Sequence, residues 1–187
     1  GTLSVQKIQG LATSATPTTI EISSGHKLIG AAGTVAVAES IVQTQQAIMA
    51  QTSTVISSTS FVDSGLQVSL TTKLSNSKFL VTIAGGGWYD RSVANQTMWL
   101  TFQRNSAGGS FDYVTNGYQN NYGIIRMSGD GGTWNIKPYS ASIIDSPSVA
   151  AGVAMIYKAV VRVNQNSCDF TGSDRGAPIL IVQEIAQ

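Results

Sequence analysis

Apolar and polar residues alternate with a period of two through most of this chain. Leu66, Val68 and Leu70 alternate with Gln67, Ser69 and Thr71, and after a polar link, Thr72–Lys78, the run resumes at Phe79, Val81 and Ile83. Successive side chains of a strand point to opposite faces, so each run predicts a half-buried strand. The link between them contains Asn76 and supplies a turn, which makes the two runs an expected antiparallel hairpin. Gly85-Gly86-Gly87 follows. Glycines offer nothing to a core, so the triplet is expected to interrupt packed strand or to mark close backbone packing.

The same alternation returns downstream. Met98, Leu100 and Phe102 form one apolar set, and Asn105–Gly109 reads as a turn. Ile124–Met127 and Trp134–Ile136 flank Ser128-Gly129-Asp130-Gly131-Gly132, whose composition predicts a hairpin turn. Tyr139–Ile144 stops at Asp145-Ser146-Pro147, and Val153 through Val163 predicts a long strand. Ile179–Ala186 is apolar on both faces for much of its length. It is therefore expected to be a central strand, with Ile181 in the core. In Ser40–Phe61, which carries no charge, a short helix around Val42–Gln51 competes with strand. The surrounding Ser and Thr, and the pattern downstream, favour strand. Short strands separated by Gly, Asn and Ser turns, without a long amphipathic helix, predict an all-β jelly-roll sandwich.

With 187 residues, the length suggests one domain plus an appendage. The texture divides the chain into an N-terminal arm, residues 1–39, and a head, residues 40–187. The arm has short alternations at Leu3, Val5 and Ile8 and at Ile20 and Ile22, broken by glycines and small polar residues. Such a segment needs a partner surface to satisfy its backbone. Charged residues make up only 11% and the net charge is +1, which argues against nucleic acid as a partner. A surface this poor in charge favours self-association. No apolar run approaches the roughly 20 residues of a membrane span, so no membrane insertion is expected. No basic-then-apolar leader opens the chain, and a soluble, intracellularly made product is expected. Cys168 is the sole cysteine, which excludes an intrachain disulfide.

The residues required for common catalytic sites are scarce. A nucleophile–base pair would have to use His26, the sole histidine, inside the glycine-broken arm. There is no G-x-S-x-G elbow, P-loop or dinucleotide fingerprint. A transition-metal site needs several His or Cys ligands. Calcium through Asp130 or Asp174 lacks an Asp-rich loop. Seven Asp and three Glu leave a glycosidase pair open by count, but the three Glu are scattered over Glu21, Glu39 and Glu184. No catalytic residue, metal or cofactor is expected. The stretch most suited to recognition is Phe111–Tyr122, where Tyr113, Tyr118 and Tyr122 are interleaved with Asn116, Gln119, Asn120 and Asn121. Aromatic faces beside amides suit sugar rings, and Tyr113, Asn116, Tyr118, Asn120 and Tyr122 are the candidate glycan or receptor contacts. The competing reading is an ordinary hairpin with cross-strand tyrosines. Trp88, Tyr89, Asp90 and Arg91 form a second cluster, read chiefly as a core tryptophan at a strand end. Cys168 is read as a small buried or edge residue.

With these segments in view, the chain resembles the short trimeric fibre and appendage proteins of tailed bacteriophages, whose head is a jelly roll of the tumour-necrosis-factor/C1q type. The matching pieces are TLSVQKIQG, IEISSGHKLIGAAG, FVDSGLQVSLTTKLSNSKFLVTIAGG, SIIDSPSV, MIYKAVVRV and PILIVQEIAQ. The resemblance implies a homotrimer in the virion, made in the host cytoplasm, with an N-terminal attachment segment. Leu3, Val5, Ile8, Ile20 and Ile22 would dock it to another virion protein of the tail adaptor, baseplate or capsid. Host surface glycan is the expected outer contact. The alternatives are a capsid-decorating (cement) protein or a carbohydrate-binding lectin.

Overall fold

A computed structural model describes residues 38–49, 54–90, 94–114, 123–130, 136–170 and 176–187, with the side chains of 86–90, 94, 130, 136 and 137 excepted. The arm residues Leu3, Val5, Ile8, Ile20 and Ile22, together with His26, lie outside the described residues. So do Asn116, Tyr118, Asn120 and Tyr122.

The chain runs through β1 (Ile41–Ile48), β2 (Val55–Ile56), β3 (Val62–Thr71), β4 (Lys78–Asp90), β5 (Ala94–Ser106) and β6 (Asp112–Tyr113). It continues through β7 (Ile125–Asp130), β8 (Ile136–Asp145), β9 (Ala154–Val163), β10 (Cys168–Asp169) and β11 (Ile179–Ile185). One sheet has the core order β1-β11-β4-β8, with β10 and β2 extending it beside the far end of β4. The other has the order β3-β9-β5-β7, with β6 added to β5. Each described pairing is antiparallel. The long strands alternate between the sheets along the chain, except for β5 and β7, which are neighbours in one sheet. Two four-stranded sheets wound in this way are a jelly roll. The all-β jelly-roll sandwich expected from the sequence is thus the fold observed, and the strand order alone establishes it.

The inward faces follow the predicted alternation. Phe79, Val81, Ile83, Leu180 and Val182 of the first sheet meet Leu66, Val68, Leu100, Phe102, Tyr157 and Val161 of the second, all of them buried. Fully burying a side chain of this size contributes about 1.5–3 kcal/mol. Within the core, the Phe79 and Tyr157 rings lie 5.7 Å apart. Arg104 Nη1 donates to both carboxylate oxygens of Asp145 at 2.7 Å, and the Tyr157 hydroxyl donates to the same carboxylate at 2.8 Å. This cluster fastens β5 and β9 of one sheet to β8 of the other.

Three expectations are corrected. The runs at Leu66–Thr71 and Phe79–Ile83 are strands, but not a hairpin: β3 pairs with β9 and β4 with β8 and β11. The Thr72–Ser77 link, which turns at Asn76 (φ 56°), carries the chain across the core from one sheet to the other. Period-two alternation fixes which face is apolar, and that face is the same whether the next strand lies beside or opposite. Nor do the runs flanking Ser128–Gly132 form a hairpin: Ser128–Asp130 belong to β7, which pairs with β5, while β8 pairs with β4 in the other sheet, and Gly131 and Gly132 lie outside the described residues. The glycine triplet does not end β4, which runs on to Asp90 past a register shift between Gly85 and Trp88. Gly85 does mark a close approach: with φ at 96°, a Cβ there would lie 3.1 Å from the Ala177 carbonyl oxygen.

β11 sits between β1 and β4, as a central strand should. Only one of its faces is covered among the described residues. Leu180, Val182 and Glu184 point inward and are buried, while Ile179, Ile181 and Ile185 point outward and are half-buried. Ile181 is thus not a core residue.

Candidate functional site

Of the tyrosine–amide stretch, Tyr113 is the candidate contact that is described. Backbone pairing of β6 with β5 sets Tyr113 opposite Gln103 on the outer face of the second sheet. Phe61, just ahead of β3, reaches it from the other side, with the two rings edge-on at 5.9 Å. Arg162 of β9 lines the same cleft. Its guanidinium carbon is 5.4 Å from the Phe61 ring centroid and 4.1 Å from that of Trp99. A cation within about 6 Å of an aromatic face is attracted by the ring quadrupole, so both rings help to hold the guanidinium. Trp99 in turn has Arg162 as its cross-strand partner on β9 and the exposed Arg126 on β7.

These groups enclose a cleft of 230 Å³ lined by Thr59, Ser60, Phe61, Tyr113 and Arg162. The segment that forms its rim is fastened at several points. Ser58 Oγ donates to the Ser60 carbonyl at 2.7 Å and accepts from the Ser60 amide at 3.1 Å, a turn that serine side chains stabilise locally. The Val163 amide donates to the Ser58 carbonyl at 2.9 Å, and Arg162 Nη1 donates to the Thr59 carbonyl at 3.2 Å. The rim is therefore tied to β9 by backbone and side chain together. Nearby, Lys158 is committed: it pairs with Asp63 at 3.2 Å and stands 3.9 Å over the Phe111 ring.

The sequence reading singled out Tyr113 and missed Phe61, Arg162, Thr59 and Ser60. One signal was visible. Lys158 and Arg162 are the charged residues of an otherwise apolar run and, four apart in a strand, share its outward face. The contribution of Phe61 was not readable, because it depends on how the β2–β3 link crosses between sheets.

A second opening of 530 Å³ lies between β1, β3 and β9, lined by Gln43, Gln45, Ser69, Leu70, Thr71, Lys73, Ala154, Met155 and Ile156. It offers amides and hydroxyls but no aromatic platform. Beneath it is Glu184, which the sequence reading treated only as a scattered acid. Its carboxylate accepts from the backbone amides of Lys73 and Leu74 at 3.0 Å, from Ser77 Oγ at 2.8 Å and from Gln43 Nε2 at 2.5 Å. Burial alone would push its pKa up. The Leu74 amide, the Gln43 amide, the Lys73 amide and the Ser77 hydroxyl outweigh that and hold it below the usual carboxylate range. So many donors converging on an ionised carboxylate describe a structural clamp rather than a catalytic acid.

Among the described residues, no group of three or more His, Cys, Asp and Glu side chains is placed to hold a metal ion. Asp130 and Asp174 lie outside the described side chains, as do those of Trp88, Tyr89, Asp90 and Arg91. Cys168 is a buried thiol on β10, as the sequence suggested. No helix among the described residues is long and apolar enough to cross a membrane.

The other notable surface is the outer face of the first sheet. In register across it lie Ile48, Ile179, Ala84 and Ser140; then Gln46, Ile181, Thr82 and Ser142; then Thr44, Gln183, Leu80 and Ile144. Ile41 and Ile185 follow, with Lys78 at the end of the row. Ile41, Ile48 and Ile144 are 56%, 59% and 41% exposed. Among the described side chains of this face, Lys78 is the charged one.

Neither a protein-family profile nor a curated protein sequence matches the chain. Among solved structures, it is similar to Eiger TNF from S. frugiperda, with 10% sequence identity and a TM-score of 0.40 over 77% of this chain and 92% of that one.

Proposed function

We propose that this chain is a non-enzymatic virion structural protein of a tailed bacteriophage, a trimeric jelly-roll knob docked through its N-terminal arm. The supporting observation is the outer face of β1-β11-β4-β8, with isoleucines on three of its four strands and Lys78 as its described charge. Exposed isoleucines on neighbouring strands, set among uncharged Ser, Thr and Gln, suit an interface better than a solvated face. A face nearly without charge has no electrostatic reason to prefer a foreign partner, so copies of the same chain are its natural occupants. Three-fold symmetry and the virion setting come from the resemblance of the sequence segments to phage appendage proteins. A second reading, a free-standing lectin, draws on the Phe61–Arg162–Tyr113 cleft alone.

Light scattering at micromolar concentration should return three times the 19.6 kDa chain mass. Subunit contacts resembling a domain core cut in half should bury more than roughly 2,000 Å² in total. Ile181→Asp places a charge on the outward face and should yield a folded monomer. Ile48→Lys, at a 59% exposed position, should do the same without straining the subunit. A monomeric wild type, or a trimer undisturbed by both substitutions, overturns this arrangement.

A further inference from the structure

The cleft beside β9 has a chemistry narrower than recognition of glycans in general. We infer that it binds a sugar residue bearing a carboxylate, with Arg162 as the recognising group. The inference deepens the host-contact part of the proposed function and rests on it.

Three observations carry it. First, Arg162 sits at the cleft wall, its guanidinium carbon within cation–π distance of the Phe61 and Trp99 rings. A guanidinium is planar, and its five N–H donors all lie along its edges. The two rings and the Thr59 carbonyl hold the group in place, and the guanidinium fork matches a carboxylate bidentately. The donor already given to the Thr59 carbonyl anchors one corner of that plane. Second, the remaining lining suits a saccharide. Phe61 and Tyr113 border the cleft with their edge-on rings, while the exposed Thr59 and Ser60 bring hydroxyls to a lining that is mostly polar, as a sugar's hydroxyls require. At 230 Å³ the cleft is below the roughly 300–1,000 Å³ of pockets for drug-sized ligands, which suits one sugar residue of a longer chain. Third, the local charge favours an anion. Arg126 flanks Trp99 on the side opposite Arg162, and the neighbouring acid Asp63 is engaged by Lys158. Asp112, next to Tyr113, is exposed to solvent; Arg104, across from it in backbone register, is taken by Asp145.

Preorganisation makes the site more than a collection of side chains. The Ser58–Ser60 turn and the Val163–Ser58 backbone bond fix the rim, so little ordering remains to be done on binding.

The test uses the full chain and saturation-transfer NMR with free glucuronic acid, N-acetylneuraminic acid, glucose and galactose, followed by immobilised oligosaccharides that contain each. Transfer to one or both acids and not to the neutral sugars is expected, and the comparison separates uronic from sialic sources. Arg162→Gln should weaken binding of the acidic oligosaccharide by at least about tenfold, the scale of a hydrogen bond to a charged group. Should that variant fail to fold, Arg162→Lys keeps the charge and the stem but loses the fork, and should also lose affinity. Equal binding of neutral sugars overturns the inference while leaving host contact in place. So does retention of poly-glutamate in place of the saccharides. An absence of saccharide binding by a protein that still scatters as a trimer overturns the inference without touching the knob assembly.

Discussion

Tyr157 and Tyr139 bury their hydroxyls in the same core with opposite outcomes. The Tyr157 hydroxyl donates to Asp145, whereas the Tyr139 hydroxyl has no partner among the described residues. Burial raises the pKa of both, and the Asp145 carboxylate raises that of Tyr157 further, so both stay protonated. The two phenylalanine substitutions should therefore differ in sign. Tyr157→Phe removes a hydrogen bond to a charged group and should cost about 1.5–3 kcal/mol. Tyr139→Phe removes an unpaired buried hydroxyl while keeping the ring stacked on Phe170 at 5.6 Å, and should be neutral or stabilising. Denaturant midpoints at equal slope would check both, and a loss in Tyr139→Phe as large as in Tyr157→Phe would refute the distinction. Gly123 shows a different constraint on a single residue. At φ 68° a Cβ there would lie 2.4 Å from the Leu100 carbonyl oxygen, so the return of the chain to β5 requires glycine.

At the scale of elements, Glu184 decides how the β3–β4 link is held. One carboxylate on β11 gathers the amides of Lys73 and Leu74, the Ser77 hydroxyl and the Gln43 amide on β1. Its folded pKa lies below the unfolded value of about 4.3. An acid depressed in the folded state contributes stability that is complete above the unfolded pKa and lost as pH falls through the folded one. Stability should thus decline below about pH 4.3, and the decline should be shallower in Glu184→Gln. At neutral pH that variant should lose at least about 3 kcal/mol, since its amide nitrogen meets donors it cannot accept from. Parallel pH profiles for the two proteins would rule the clamp out. The sequence displayed Glu184 plainly, as an acid near the end of an apolar strand, but not the donors, which come from two separate segments, the β3–β4 link and β1. The same limit applies elsewhere. Strand existence and the inward residues of β3, β4, β5 and β9 were legible from alternation; in β11, apolar on both faces, the pattern did not say which face is inward. Which strands pair was not, because a crossing link and a hairpin link produce the same pattern. Of the cleft, Tyr113 was legible from composition and Arg162 from its position in β9. Phe61 reaches the site only through the path of the chain between sheets.

For the molecule as a whole, the open question is what the arm contributes to the jelly roll. The first backbone bonds of the described fold hold residues just ahead of β1 to the end of β11, from the Glu39 amide to the Ala186 carbonyl and from the Ala186 amide to the Ser40 carbonyl, each 2.9 Å. A truncation that removes residues 1–37 spares both bonds and every described strand. The shortened protein should keep its denaturant midpoint and its oligomeric mass, because the core and the outer face of the first sheet are untouched. Under the proposed function it should fail to join the particle, since Leu3, Val5, Ile8, Ile20 and Ile22 would no longer offer their short extended runs to a virion partner. Extended segments of this kind add to an exposed sheet edge and gain their backbone hydrogen bonds only on assembly, when the cost of ordering is met. Copy number per purified particle, measured for the full and the shortened chain in competition, checks the assignment. Incorporation of the shortened chain at the normal level would remove the anchor from the arm and place the docking surface on the head.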